Sequence, residues 1–169
     1  MLSHCHIREG KPEDAEAVTL LYCQLVEDDS VRVLPEVISD LKSSPSGFLL
    51  IAENGDQIVG TALLSICQDV MYGHQPFAVM ENIVVSNTCL RSGVGSLLMS
   101  KVEKTCIAHE CSKILLSTSR GRLGAHQFFQ KHGFSDQVKI GFVKYRSQFG
   151  NLVEPANKES AKNDTATSS

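Results

Sequence analysis

What this chain lacks narrows its possibilities first. No stretch of its sequence approaches the roughly 18 apolar residues of a membrane span, so no segment is expected to cross a bilayer. No charge of one sign dominates: 16 Lys and Arg stand against 19 Asp and Glu, a formal net charge of -3. That balance offers no general attraction to nucleic acid or to an anionic membrane and argues against both as partners. There is no CxxC pair among Cys5, Cys23, Cys67, Cys89, Cys106 and Cys111, no metal-like spacing to histidines, and no signal-peptide pattern at the start. Reduced thiols in the cytoplasm, with no metal, are the expectation.

What is present suffices for one domain with a proper core. The chain has 169 residues, 42% hydrophobic and 21% charged, within the globular range. The apolar pattern stops near Phe149, and 154–169 is rich in Asn, Lys, Ser, Thr and Ala. A domain over 1–149 and a disordered tail over 150–169 follow.

Residues 3–9 read as a strand, with His4, His6 and Arg8 alternating against Cys5 and Ile7. Lys11-Pro12-Glu13-Asp14 is a helix entry, because proline suits the first turn and acidic groups complement the dipole. Val18, Leu20, Leu21 and Leu25 then give that helix a broad apolar face. Val37, Ile38 and Leu41 mark a short helix over 35–42, which Ser, Pro and Gly end at 43–47. Asn54-Gly55 between apolar runs is a strong hairpin signal and predicts antiparallel strands over 48–52 and 57–67. A loop over 68–75, carrying Tyr72 and His74, is placed to shape a substrate entrance.

The chain is organised around residues 81–102. A fourth strand over 77–85 alternates so that Phe77, Val79, Glu81, Ile83 and Val85 share a face, Glu81 being the odd member. The loop Leu90-Arg91-Ser92-Gly93-Val94-Gly95 follows, then a helix to about 110 with Val94, Leu97, Leu98, Val102 and Cys106 at helical spacing. Two glycines permit a tight turn and close approach of a ligand, and free N–H groups at a helix start suit phosphate. The same glycines also serve an ordinary strand-to-helix turn. A fifth strand over 113–116, parallel to the fourth, a helix over 123–132 ended by Gly133, and closing strands over 134–138 and 141–145 complete an α/β reading.

This order of elements, the 90–95 loop, and Ala125-His126-Gln127-Phe128-Phe129-Gln130-Lys131-His132-Gly133-Phe134 together resemble the GCN5-related N-acetyltransferase (GNAT) superfamily over roughly residues 7–145. The resemblance implies a mixed, strongly twisted sheet of about six to seven strands, with helices on both faces and strands four and five splayed apart. It further implies acetyl-CoA as co-substrate, its pyrophosphate over the backbone of Leu90, Arg91, Ser92, Gly93, Val94, Gly95 and Ser96. The pantetheine arm would lie strand-like along Ile83, Val84 and Val85. Arg122, where the family often has Asn, is placed to reach a CoA phosphate, and Phe128 to line the site. Two departures stand out: Leu90 replaces the leading Gln or Arg, with Arg91 one place later, and Phe129 replaces a tyrosine that often protonates the departing thiolate. Homodimers are common in that family, so a dimer is a further expectation.

Acetyl transfer to an amine needs the neutral amine, hence a base. Glu81 is the first candidate, since apolar neighbours on its face would raise its carboxyl pKa toward the useful range. Its setting, Met80-Glu81-Asn82-Ile83-Val84-Val85, resembles glucosamine-phosphate N-acetyltransferases. A wetted strand-end glutamate is the blander alternative. His126 and His74 are other candidate bases, Tyr72 an alternative proton donor. Covalent transfer through Cys89 is set aside, because the family transfers directly in a ternary complex. Leu115-Leu116-Ser117-Thr118-Ser119-Arg120 followed by Arg122 resembles aminoalkylphosphonate N-acetyltransferases and points to a polar or anionic small substrate. The expected activity is N-acetylation of a small-molecule primary amine. A lysine or N-terminal protein acetyltransferase and a non-catalytic acyl-CoA sensor are the competing readings.

Overall fold

One sheet of five strands carries the molecule, in the spatial order β1 (Cys5–Glu9), β2 (Gly47–Asn54), β3 (Gln57–Cys67), β4 (Phe77–Val85) and β5 (Ile114–Leu116). The structure, a computed structural model, describes residues 5–26 and 28–150. The first three pairings are antiparallel, and β5 joins β4 in parallel. Asn54 and Gln57 close the expected β2–β3 hairpin, but its two-residue turn is Gly55-Asp56, with Gly55 at φ 60 in the first central position, not Asn54-Gly55.

Strand alternation sends the two halves of the sheet to two cores. Leu49 and Ile51 of β2 meet α1 (Ala15–Val26) and α2 (Pro35–Ser43) through Ala15, Val18 and Ile38. Leu50, Ala62, Leu64 and Met80 meet the opposite side, where α3 (Val94–Ala108) contributes Val94, Leu98, Met99, Val102 and Cys106 and α4 (Leu123–Lys131) contributes Phe129. The expected helices on both faces are therefore present. Gly60 permits the close crossing of α3, since a Cβ there would stand 3.0 Å from the Val84 carbonyl oxygen and 3.1 Å from Val94.

The sheet has five strands, not six or seven. Contacts divide the chain after Ser135, and among the described residues the unit from Asp136 onward holds one 3-10 turn, Arg146–Gln148. The closing strands expected over 134–138 and 141–145 are not formed, and Val138, Ile140, Phe142, Val143 and Tyr145 are exposed. Alternation defines a face, but a strand also needs a neighbour for its backbone N–H and C=O groups, which that pattern does not supply. Residues 3, 4 and 151–169, where the first strand was expected to begin and the tail to lie, fall outside the described residues.

One ion network fastens the edge strand. Arg8 of β1 donates to both oxygens of Asp14 at 2.7 and 2.9 Å and to both oxygens of Glu53 on β2 at 2.8 and 3.1 Å. Asp14, at the entry to α1, also accepts the Lys11 N–H at 2.7 Å. Burial alone would push the Asp14 carboxyl up, but the hydrogen bonds from Arg8 and Lys11 outweigh it and hold it below the usual carboxylate range. A depressed folded-state pKa stabilises above the unfolded value and ceases to do so as pH falls through the folded one. Asp14→Asn is therefore expected to lower unfolding free energy by about 2 kcal/mol at pH 7. Denaturant titrations of both proteins should converge as the pH drops below the ordinary carboxylate range.

Candidate active site

The site begins where β4 gains a residue. Leu63 of β3 stands opposite Glu81, while Thr61, two residues earlier, stands opposite Val84, three residues later. The extra residue makes a bulge at Asn82, whose φ of 53 lies in the left-handed region that Asn tolerates better than most side chains. A bulge shifts the alternation by one. Glu81 stays with Leu63 on the α1/α2 side, whereas Ile83 and Val85 turn to pack with the α3 core.

This overturns the single face expected for Phe77, Val79, Glu81, Ile83 and Val85. Glu81 is exposed, not enclosed by the apolar neighbours expected on its face. Its nearest polar partner is Ser117, whose Oγ donates to Glu81 Oε1 at 3.5 Å, a weak contact.

Glu81 and Ser117 mark the point where two strands part. The last β4–β5 pair is Met80 with Leu116, and β4 continues alone to Val85, about 16 Å of strand with no partner on that side. Beyond it, Ser86 caps a 3-10 turn, Asn87–Cys89, and the chain enters the glycine loop. Arg91 at φ 59 and Gly93 at φ 97 are both left-handed, Ser92 Oγ donates to the Cys89 carbonyl, and α3 starts at Val94. Among the described residues, the N–H groups of Arg91 to Ser96 have no protein acceptor; the first such bond on α3 is Leu97 N–H to the Gly93 carbonyl at 3.1 Å. A left-handed turn of unpaired amides at the head of a 15-residue helix fits a diphosphate, and an unpaired strand edge fits an amide-bearing arm.

Phe128 closes over the same turn. A Cβ on Gly95 would lie 3.1 Å from the Phe128 ring and 3.8 Å from Val85, so the glycine lets these three expected cofactor residues meet. His132, one turn further along α4, holds the ring from behind at a centroid distance of 4.4 Å and reaches Ser96 Oγ through Nε2 at 3.1 Å. Leu90, Arg91 and Arg122 are exposed, and among the described residues no ion pair engages either arginine.

Other candidates are placed elsewhere. Tyr72 and His74 are exposed on the loop entering β4, tied through Pro76 to Ser112 at the far end of α3 from Gly93. Phe77, where that loop ends, is about 13 Å along the strand from Glu81. His126 Nε2 lies 2.9 Å from the Ser119 carbonyl, and so braces the β5–α4 turn. Phe129 is buried among Phe128, Phe134 and the α3 core, with no solvent-facing ring to replace a tyrosine hydroxyl. Cys89 is half-buried against the core.

Sequence reasoning gave no role to Tyr22, Gln24 or His132. Tyr22 of α1, its phenol pushed up by burial, lies near the side chains of Thr61 and Asn82 at the bulge. Gln24, half a turn on, accepts the Asn87 N–H at 3.1 Å. A polar-tipped aromatic on an otherwise apolar helix face was the available signal.

The left-handed turn sets its own cost. Gly93→Ala meets nothing within 4 Å, so its penalty is conformational alone, expected at about 1–2 kcal/mol. Gly124→Ala, equally open but on ordinary helical backbone, is expected to stabilise by about 0.5–1 kcal/mol. Denaturant unfolding of the pair should show opposite signs.

Comparisons with known proteins bear on this geometry. A family model described as Acetyltransferase (GNAT) family matches residues 15–134. An Agrobacterium tumefaciens protein provisionally designated an acetyltransferase superposes with a TM-score of 0.74 at 26% identity, covering 83% of this chain and 99% of its own. Glucosamine-6-phosphate N-acetyltransferase of Arabidopsis thaliana gives 0.72 at 20% identity, covering 85% and 99%. An aminoglycoside acetyltransferase from an uncultured soil metagenomic sample gives 0.70 at 15%, covering 84% and 97%. No curated protein matches the sequence.

Proposed function

The chain belongs to the GNAT family of acetyltransferases, and on that premise we propose that it moves an acetyl group from acetyl-CoA to the primary amine of a small molecule by direct transfer in a ternary complex. One observation carries the reading. The unpaired amides of Arg91 to Ser96 and the unpaired edge of β4 are continuous, and that edge ends at an exposed carboxylate, Glu81.

Acetyl-CoA, when bound, supplies an activated thioester carbonyl and a thiolate leaving group. The chain supplies position and charge. Backbone N–H groups of Arg91 to Ser96, with the Arg91 guanidinium nearby and the α3 dipole behind them, receive the diphosphate. Ile83, Val84 and Val85 offer main-chain donors and acceptors to the arm on the side where β5 is missing. Because the bulge sets Ile83 and Val85 on one face and Glu81 on the other, the arm and the amine approach the gap from opposite sides of the sheet. That arrangement suits a direct displacement.

Glu81 anchors the substrate ammonium and accepts or relays its proton, with Ser117 beside it. Thr118, the next residue, has a buried hydroxyl with no partner among the described residues, a second polar group available just beyond β5. Phe129 has no proton to give, so the departing sulfur takes its proton from water or from another donor. The resemblance of Leu115-Leu116-Ser117-Thr118-Ser119-Arg120 to aminoalkylphosphonate N-acetyltransferases supports a small polar amine as the acceptor. Among the described residues no helix is long and apolar enough to cross a membrane.

Thiol release from acetyl-CoA, measured over a panel of amines, tests the assignment. Acceptor-dependent release is expected for at least one small amine; tight binding with no such release would instead mark an acyl-CoA sensor, and release only with peptides a protein acetyltransferase. Glu81→Gln is expected to lower kcat/KM for the amine by about 100-fold. Its acetyl-CoA Kd should stay within about twofold of the parent, since the carboxylate lies outside the amide turn.

A further inference from the structure

His132 stands where nothing in the acetyl-transfer chemistry requires a histidine. Its Nδ1 lies 2.9 Å from the Phe128 carbonyl, and a carbonyl only accepts, so Nδ1 carries the hydrogen. In the neutral ring Nε2 is then the acceptor, and the hydrogen of Ser96 Oγ, 3.1 Å away, points at the imidazole. Protonation reverses that bond. Nε2–H donates to Ser96 Oγ, and the serine hydrogen is released toward whatever sits on the amide turn that Ser96 shares with Arg91 and Gly93.

We infer that His132 is a positioning residue that couples protonation to cofactor binding: the diphosphate is held by the form in which His132 is charged and Ser96 turns its hydroxyl outward. The inference rests on the proposed acetyl-CoA site and deepens it. A bound dianion favours the protonated ring in two ways. It attracts the imidazolium directly, and it accepts a hydrogen bond that the neutral state directs elsewhere. Affinity is therefore highest at low pH, falls as pH rises through the free protein's imidazole range, and levels off above the bound one's.

The charged and titratable groups on the elements meeting there are Arg91 on the loop, Lys101, Glu103 and Lys104 on α3, and Arg122, His126 and Lys131 on α4 and its entry. Among the described residues none forms an ion pair with the ring. Phe128, tilted against the imidazole at 4.4 Å, fixes its plane so that both nitrogens keep their partners.

The probe is 3′-dephospho-CoA, whose diphosphate keeps its charge across the range, whereas the 3′-phosphate of CoA titrates within it. Calorimetric titration of the full chain in buffers of differing ionisation enthalpy reads Kd and proton uptake together. Near neutral pH the parent protein is expected to take up about half a proton on binding. Its Kd should weaken by about tenfold between roughly pH 5.5 and 8.5. His132→Gln should bind with a flat profile and no uptake, and Ser96→Ala, at an exposed position, should lose most of the uptake as well. A parent profile that is flat with no uptake, or a His132→Gln protein that keeps the parent's uptake, overturns the inference. Failure of the parent to bind at any pH overturns the cofactor reading itself, an outcome distinct from pH-independent binding.

Discussion

The site depends on one extra residue in β4. At Asn82 the strand takes three positions to pass two of its neighbour, and from there it has no partner on the β5 side. Both consequences come from the same distortion. A regular β4 would keep Glu81, Ile83 and Val85 on one face and could continue pairing with β5; the bulge sends the carboxylate one way and the apolar platform the other. The unpaired edge is also a hazard, since free strand edges invite other chains. Here it is short and leads into a glycine loop.

A bulge with a left-handed Asn is costly unless its surroundings hold it, and α1 does so. Tyr22 lies near both Asn82 and Thr61, the β3 residue opposite the far end of the bulge. Two residues on, Gln24 holds Asn87, the first residue of the 3-10 turn before the amide loop. The helix that covers one side of the sheet thus meets both the break in the strand and the turn that leads into the glycine loop. Arg8, Asp14 and Glu53 in turn anchor the entry of α1 to β1 and β2. The network at the sheet edge is structural, yet it fixes the start of the helix that shapes the cleft.

Most of the architecture was legible because the relevant signals are local. Asn54-Gly55 names its hairpin, Pro12 and Pro35 stand at helix entries, and the glycines at 93 and 95 serve the two needs that called for them, a left-handed φ and a close approach to Phe128. What escaped is non-local. The alternation of 77–85 is uninterrupted in sequence, and only pairing with β3 reveals the register shift that exposes Glu81. The segments 134–138 and 141–145 also read as strands, yet they form none, because a pattern of faces does not supply a pairing edge. His126 and His132 look alike in sequence. One braces a turn through Ser119, and the other reaches the head of α3.

The two departures from the family pattern follow from the same packing. Phe129 completes an aromatic cluster with Phe128 and Phe134, and a hydroxyl there would need a partner inside an apolar core. Losing the tyrosine removes a proton donor but leaves a tighter wall behind Phe128, the ring that closes over Gly95. At the loop, Leu90 is extended and exposed, and the left-handed conformation falls on Arg91. A cationic side chain beside six unpaired amides adds charge where the backbone already supplies direction. On the proposed cofactor reading the backbone would bear most of the diphosphate's charge, so a cation one residue later in the loop would serve while the left-handed turn and the close approach to Phe128 still call for the two glycines.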